Sequence, residues 1–242
     1  MPITLRSAPA NADPAEIAKF AALAHRWWDP ESEFKPLHDV NPLRLDWIDA
    51  ACGGLTGKRV VDVGCGGGIL AESMAARGAE VLGIDLADKA LGVAKLHRLE
   101  TGVAVDYRLI AAEELAQERH ASFEVVTCME LLEHVPDPAS TIAACAALAK
   151  PGGCVVFSTI NRSAKSYAFA IVGAEYLLRL LPRGTHDWLR FLTPSEVARH
   201  ARHSGLELAQ LAGMSYQPLS KLFRIVPDTS VNYLAAFRRP GP

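Results

Sequence analysis

The chain has 242 residues, half of them hydrophobic and 21% charged, which suits a single globular domain with a sizeable core and some additions. Lysine plus arginine (25) nearly balances aspartate plus glutamate (27), a formal net charge of −2, so no global field draws the chain to a polyanion and no nucleic-acid partner is expected. The five cysteines, Cys52, Cys65, Cys128, Cys145 and Cys154, form no CxxC pair, which excludes a zinc-finger or disulfide framework and fits reduced thiols in the cytoplasm.

In chain order, residues 1–12 are short, polar and proline-containing, with no apolar core for a signal peptide, and are expected to fray. A leading helix is predicted from Asp13 to Trp28, with Asp13 as N-cap, Pro14 at the first helical position and Ile17, Phe20, Ala21 and Ala24 at helical spacing. A second helix is predicted over Pro42–Cys52, ending at Gly53-Gly54. Together they form an N-terminal helical cap over 13–56. Strands then read near 59–63, 80–84, 104–108, 123–128 and 153–158, with helices near 68–77, 87–99 and 138–149 and a turn around 112–117. This alternation implies a mainly parallel sheet with right-handed crossovers, the α/β class. From 159 to 192 the pattern turns into a helical insertion or lid. A helix over Thr193–His203 and strands over Leu206–Ala212 and Ser230–Phe237 close the domain, the last two strands paired antiparallel. The sum is seven strands in one domain spanning 13–242.

The chemistry begins at Val60-Val61-Asp62-Val63-Gly64-Cys65-Gly66-Gly67-Gly68. A strand running into glycines and then a helix lets backbone approach a ligand where a side chain would clash. A dinucleotide fingerprint needs a third glycine where Ile69 stands. Asp62, two residues before the first glycine, would repel a pyrophosphate but not a cationic sulfonium. Asp85 closes the second strand, where a carboxylate can accept from both ribose hydroxyls. Each feature alone has a plain structural reading, a tight turn for the glycines and a helix cap for Asp85.

Asp62-Val63-Gly64-Cys65-Gly66-Gly67-Gly68 followed by Gly83-Ile84-Asp85, and Leu148-Ala149-Lys150-Pro151-Gly152-Gly153 further on, resemble the class I methyltransferases, which implies a Rossmann-like fold and S-adenosylmethionine as cofactor. Phe34-Lys35-Pro36-Leu37-His38 with Asn41-Pro42-Leu43-Arg44, then Met129-Glu130-Leu131-Leu132-Glu133-His134-Val135, and Ser158-Thr159-Ile160-Asn161-Arg162, resemble the ubiquinone biosynthesis O-methyltransferase family from about Ala21 to Phe237. The resemblance implies methylation of a polyprenyl catechol and of a demethylubiquinol. It implies cofactor contacts at Arg44, Gly64, Asp85 and Met129, to which the strand-end pattern adds Asp62 and Gly66. Arg44 could hold the cofactor's carboxylate, or be a surface arginine capping a helix. Met129 could wall the adenine, or simply pack in the core.

Glu130-x-x-Glu133-His134 follows the fourth strand, at the crevice where open α/β sheets bind substrates. A phenol of pKa about 10 is a poor nucleophile at neutral pH until it loses its proton. His134 could be the base, oriented by Glu130 or Glu133, or all three could hold Mg²⁺, as eukaryotic members of the family are associated with a metal. The alternative is that these acids cap the next helix or pair with Arg162. Residues 162–190 carry five basic and two acidic residues among many aromatic and aliphatic ones. That pattern suits peripheral contact with anionic lipid at the inner membrane face, or a substrate cover or dimer contact. Trp27 and Trp28 are expected to pack the leading helix onto the domain or to roof the acceptor, with His25 on the surface. A nicotinamide-dependent oxidoreductase, a non-catalytic scaffold in a biosynthetic complex, and a methyltransferase for another small acceptor are the competing functions.

Overall fold

The computed structural model describes residues 11–167, 188–217 and 222–241. Asp13 caps the first helix, α1 (Pro14–Leu23), by accepting from the Ala15 N–H at 3.0 Å, with Pro14 in the first turn. A 3₁₀ turn, Ala24–Arg26, continues it. The second helix, α2 (Lys35–Ala51), starts a full two turns before the predicted Pro42. Pro36 supplies its first-turn proline. Pro42 lies inside it, and the buried stripe of Val40, Asn41, Arg44, Leu45 and Ile48 carries the helix past the missing backbone donor.

The alternating core then runs β1 (Arg59–Val63), α3 (Ile69–Ala76), β2 (Glu80–Asp85), α4 (Asp88–Thr101), β3 (Val105–Leu109), α5 (Ala112–Glu118), β4 (Phe123–Met129), α6 (Pro138–Leu148) and β5 (Ala149–Ile160). The stretch expected to be a turn around 112–117 is helix α5, a short element with Ala112 and Leu115 on its buried side. Beyond β5 come a single helical turn, α7 (Ala164–Ser166), then α8 (Pro194–His203), opened by a Thr193–Glu196 capping box, and the strands β6 (Glu207–Gln217), β7 (Leu222–Val226) and β8 (Asn232–Arg238). Most of the expected insertion, 168–187, lies outside the described residues.

The sheet has eight strands in the order β3-β2-β1-β4-β5-β8-β6-β7. The five strands β3 to β5 are parallel, and β5–β8, β8–β6 and β6–β7 are antiparallel pairs. The two closing strands expected from the sequence do pair, but β7 lies between them in the chain. That extra strand is short, bonded on one side and only partly buried, so its sequence carries little alternation to betray it. Neighbouring strand residues divide between the two faces: Val61, Val126 and Val155 enter one core cluster, and Val60, Val125 and Val156 the other. Each fully buried valine contributes about 1.5–3 kcal/mol relative to exposure. A third cluster of Ala24, Trp27, Phe34, Ile69, Ala87 and Ala90, with Ile17 and Phe20 against it, fixes the N-terminal helices over α3 and α4. No helix among the described residues is long and apolar enough to cross a membrane. Of the stretch expected to fray, Asn11 is anchored: its amide donates to Glu113 Oε1 at 2.8 Å and Thr141 Oγ1 at 2.9 Å, and its oxygen accepts from Asp137 N at 2.7 Å.

Candidate active site

The sheet order reverses between β1 and β4, so the loops leaving their C-terminal ends diverge and open a crevice. A cavity of about 670 Å³ fills it, lined by Arg44, Asp62, Gly64, Gly66, Asp85, Met129, Glu130, Glu133 and His134. Every site residue picked from the sequence therefore faces one space, of a size usual for small-molecule sites.

At one end the walls are backbone. The N–H groups of Gly64 and Cys65 both donate to Ile84 O, at 2.8 and 3.0 Å, which ties the glycine turn to the end of β2. Gly66 has φ +53°, and a Cβ there would lie 2.1 Å from Trp27 Cζ2. Both the left-handed backbone and the indole roof therefore demand glycine. Trp27 stacks on Phe34 at 4.1 Å, while Trp28 donates from Nε1 to Gly67 O at 2.9 Å and stacks on His97. The paired tryptophans thus clamp the leading segment onto the glycine turn. His25 is exposed, as expected.

Asp85 does two jobs at once. Its Oδ2 accepts from Gly66 N at 2.8 Å and its Oδ1 from Ala87 N at 2.7 Å. The Oδ1 bond is a local turn ahead of α4, whose N-cap is Ala87 with no side-chain cap, so Asp85 is not the helix cap, and its carboxylate lines the cavity. Burial raises its pKa against the pull of those two N–H groups. Asp62 is 3% exposed and opposite Thr127 in the β1–β4 register, whose hydroxyl donates to it at 2.7 Å. Burial pushes Asp62 up to about 6, against the lowering effect of Thr127 and Arg44.

Arg44 is not a surface residue. It is 4% exposed, and its Nε has no hydrogen-bond partner among the described residues. Burial lowers its pKa, opposed by the nearby charges of Glu130 and Asp62. Taking a guanidinium out of water costs several kcal/mol, which nearby carboxylates offset in part and a ligand anion at the unpartnered Nε would offset further. The donor set therefore fits a ligand carboxylate, the methionyl end of S-adenosylmethionine.

The other end is made of side chains. Glu130 has φ +50°, a strained backbone for a residue with a side chain. It is held by its N–H donating to Ser158 O at 3.0 Å and by the Ser158 hydroxyl donating to its Oε1 at 2.7 Å. Glu133 is 4% exposed and accepts from Thr159 Oγ1 at 2.8 Å. Burial, then the neighbouring Glu130 charge, push it up to about 8, so at neutral pH Glu133 retains its proton.

His134 stands in a 3₁₀ turn, Leu132–His134, after β4. The expectation that Glu130 or Glu133 orients it is corrected: its Nδ1 lies 2.8 Å from Oε2 of Glu16, on α1. Both acids are engaged by the hydroxyls of β5 instead. The expected Mg²⁺ site is corrected on the same ground, because among the described residues no group of three His, Cys, Asp or Glu side chains is arranged to hold a metal ion. The residues present do not fit the metal. The alternative pairing with Arg162 does not form either: that guanidinium binds Glu196 and donates to Phe191 O at 3.2 Å. The cap of the next helix is Asp137. Glu16 went unnoticed in the sequence, where nothing links it to a histidine 118 positions away.

The methyltransferase domain family matches residues 37–211. Solved structures share the fold at low identity. They include a magnesium protoporphyrin IX methyltransferase from Synechocystis PCC 6803 with bound SAH (TM-score 0.61, 18% identity, 92% of this chain and 87% of that one). Another is a possible histamine N-methyltransferase from Thermotoga maritima (TM-score 0.62, 16% identity, 93% and 98%). The chain thus has the Rossmann-like fold of the class I S-adenosylmethionine-dependent methyltransferases and is an enzyme of that class. Among curated proteins it is 64% identical over 231 residues to the ubiquinone biosynthesis O-methyltransferase of Azoarcus sp. (strain BH72), covering 96% of this chain and 99% of the relative. It is 66% identical over 231 residues to that of Ralstonia nicotianae, covering 96% and 97%. The chain belongs to the ubiquinone biosynthesis O-methyltransferase family.

Proposed function

We propose that the cavity binds S-adenosylmethionine at its backbone end and methylates the phenolic hydroxyl of a polyprenyl catechol, and of a demethylubiquinol, at its side-chain end. The observation that carries this reading is the buried Arg44 guanidinium, with its unpartnered Nε, on the same cavity as Asp85 and His134. Arg44 would hold the methionyl carboxylate, Asp85 the ribose hydroxyls, and Met129 and Leu86 the flat faces of the base. The bound cofactor supplies an electrophilic methyl group on a sulfonium. His134 removes the acceptor's hydroxyl proton, because a neutral phenol attacks poorly. The acceptor ring and prenyl chain find apolar walls in Ile17, Phe20, Leu37, Ile110, Val135 and Ile160. The relatives, ubiquinone biosynthesis O-methyltransferases, support an acceptor on the ubiquinone pathway, while the structural neighbours support only the fold.

A bilayer-dwelling acceptor would be collected at a lipid surface, and the basic, aromatic-rich stretch 162–190 is the segment proposed to make that contact. The test is transfer of labelled methyl from S-adenosylmethionine to a short-chain polyprenyl catechol by the purified protein. Turnover of that acceptor and of demethylubiquinol is expected, and turnover of unrelated phenols alone would overturn the acceptor assignment. Sedimentation with phosphatidylglycerol vesicles tests the membrane contact: binding weakened when Arg179 and Arg183 become Glu supports it, and no binding removes it.

A further inference from the structure

The acid bonded to His134 comes from the far end of the chain. Glu16 and Phe20, one helical turn apart on α1, grip the imidazole from two sides. Glu16 Oε2 lies 2.8 Å from Nδ1, and the Phe20 ring meets the imidazole edge-on, centroids 5.1 Å apart at 90°. The other Glu16 oxygen accepts from Lys19 Nζ at 2.7 Å. Burial works against the Glu16 carboxylate, but its bonds with Lys19 and His134 hold its pKa below the usual value, so it meets the ring as an acceptor. The N-terminal end of α1 is fastened independently. Asp13 Oδ2 accepts from Arg190 Nη2 at 3.1 Å, and Asn11 bridges to Glu113, Asp137 and Thr141. No residue of α1 is itself fully buried. Asp13, Glu16, Ile17 and Phe20 instead line the cavity that holds Met129 and Glu130. The helix is therefore placed as part of the site's wall and not as core.

We propose that Glu16 is the positioning residue of the proton acceptor: its carboxylate holds the His134 proton on Nδ1, assigns proton uptake to Nε2, and balances the imidazolium that forms. This rests on the reading of His134 as the base of an O-methylation. In that step the acceptor oxygen forms its bond to carbon as the sulfur keeps the electron pair of the broken S–C bond. The hydroxyl proton passes to Nε2, and the resulting positive charge sits against Glu16 until water takes the proton. A carboxylate oriented this way does not itself become protonated; it selects the tautomer and steadies the cation.

Two measurements test it. In the wild-type protein without ligand, ¹⁵N NMR of His134 is expected to show the Nδ1–H tautomer, and in Glu16→Gln a shift toward a mixture. Glu16→Gln is expected to lower kcat about 10- to 100-fold, with acceptor KM and calorimetric affinity for S-adenosylhomocysteine within twofold of wild type. Added to His134→Ala it is expected to slow the enzyme no further, since the two residues act as one unit. An Nε2–H tautomer in the wild type, a kcat within twofold of wild type in Glu16→Gln, or a full additional loss in the double variant would overturn the proposal. Absence of methyl transfer by the wild type would instead strike the proposed function, and the NMR result would still decide which nitrogen Glu16 holds.

Discussion

The two ends of the cavity are built on different principles. At the cofactor end, contacts run between neighbouring elements and through backbone: Gly64 and Cys65 to Ile84, Gly66 to Asp85, Asp62 to Thr127 in strand register. At the acceptor end they run between side chains far apart in sequence: Glu16 to His134, Glu133 to Thr159, Asn11 to Thr141. The first kind of site follows from a β-turn-α unit and tolerates little change. At the second, the partner of His134 arrives only when α1 has docked, so orientation of the imidazole is coupled to folding of that helix.

That contrast can be broken in order of expected effect. Loss of the base in His134→Ala is expected to lower kcat by about 10²- to 10⁴-fold, read in the labelled-methyl assay, with cofactor binding kept; a comparable loss of cofactor affinity would merge the two ends. Arg44→Met is expected to weaken S-adenosylhomocysteine binding by at least about 30-fold, the loss that follows removal of one partner of a buried charge pair. The same variant should melt close to wild type without ligand, because the desolvation cost of the buried guanidinium offsets its attraction to Glu130 and Asp62. A Tm that falls without a change in binding would make Arg44 merely structural. Gly66→Ala places a side chain at φ +53° and against Trp27, so a drop in Tm of about 5 °C or more is expected by calorimetry. An unchanged Tm would show that the indole does not rest on the turn.

The pH dependence of stability sharpens the acceptor end. Glu133 sits at about 8 when folded against an ordinary 4.5, so the folded chain holds a proton that the unfolded chain has already released above pH 4.5. Stability is therefore fullest below that value, and this contribution is lost as pH rises through about 8. Asp62, at about 6 against 3.8, acts in the same direction over a lower window. Melting temperature should fall between pH 6 and 9, and Glu133→Gln should flatten that decline; an equally steep fall in the variant would contradict it. The smallest expected effect is none: treatment with EDTA should leave kcat within twofold, since Glu130, Glu133 and His134 are turned to other partners. Loss of activity restored by Mg²⁺ would return the metal to the site.

The same contrast explains what could be read in advance. The parallel core was legible because its strands are short β-branched runs between glycine turns, and Asp62, Gly64, Gly66 and Asp85 stand at fixed offsets from strand ends. Glu130, Glu133 and His134 were legible as a cluster, but their partners were not. The hydroxyls of Ser158 and Thr159 enter through the β4–β5 register, and Glu16 enters through docking of a helix whose sequence shows only a cap and an apolar stripe. The start of α2 was misplaced because Pro42 reads as a boundary, whereas tertiary burial of Asn41, Arg44 and Leu45 holds the helix together around it. The edge strand β7 was missed because it is half-buried and bonded on one side.

The claim beneath all of this is that one cavity joins a cofactor end anchored by Arg44 to a proton-accepting end built on His134, and titration calorimetry with S-adenosylhomocysteine addresses it most directly. Wild type and His134→Ala are expected to bind within twofold of each other while Arg44→Met loses at least about 30-fold. No affinity in the wild type, or the same affinity in all three proteins, would contradict it.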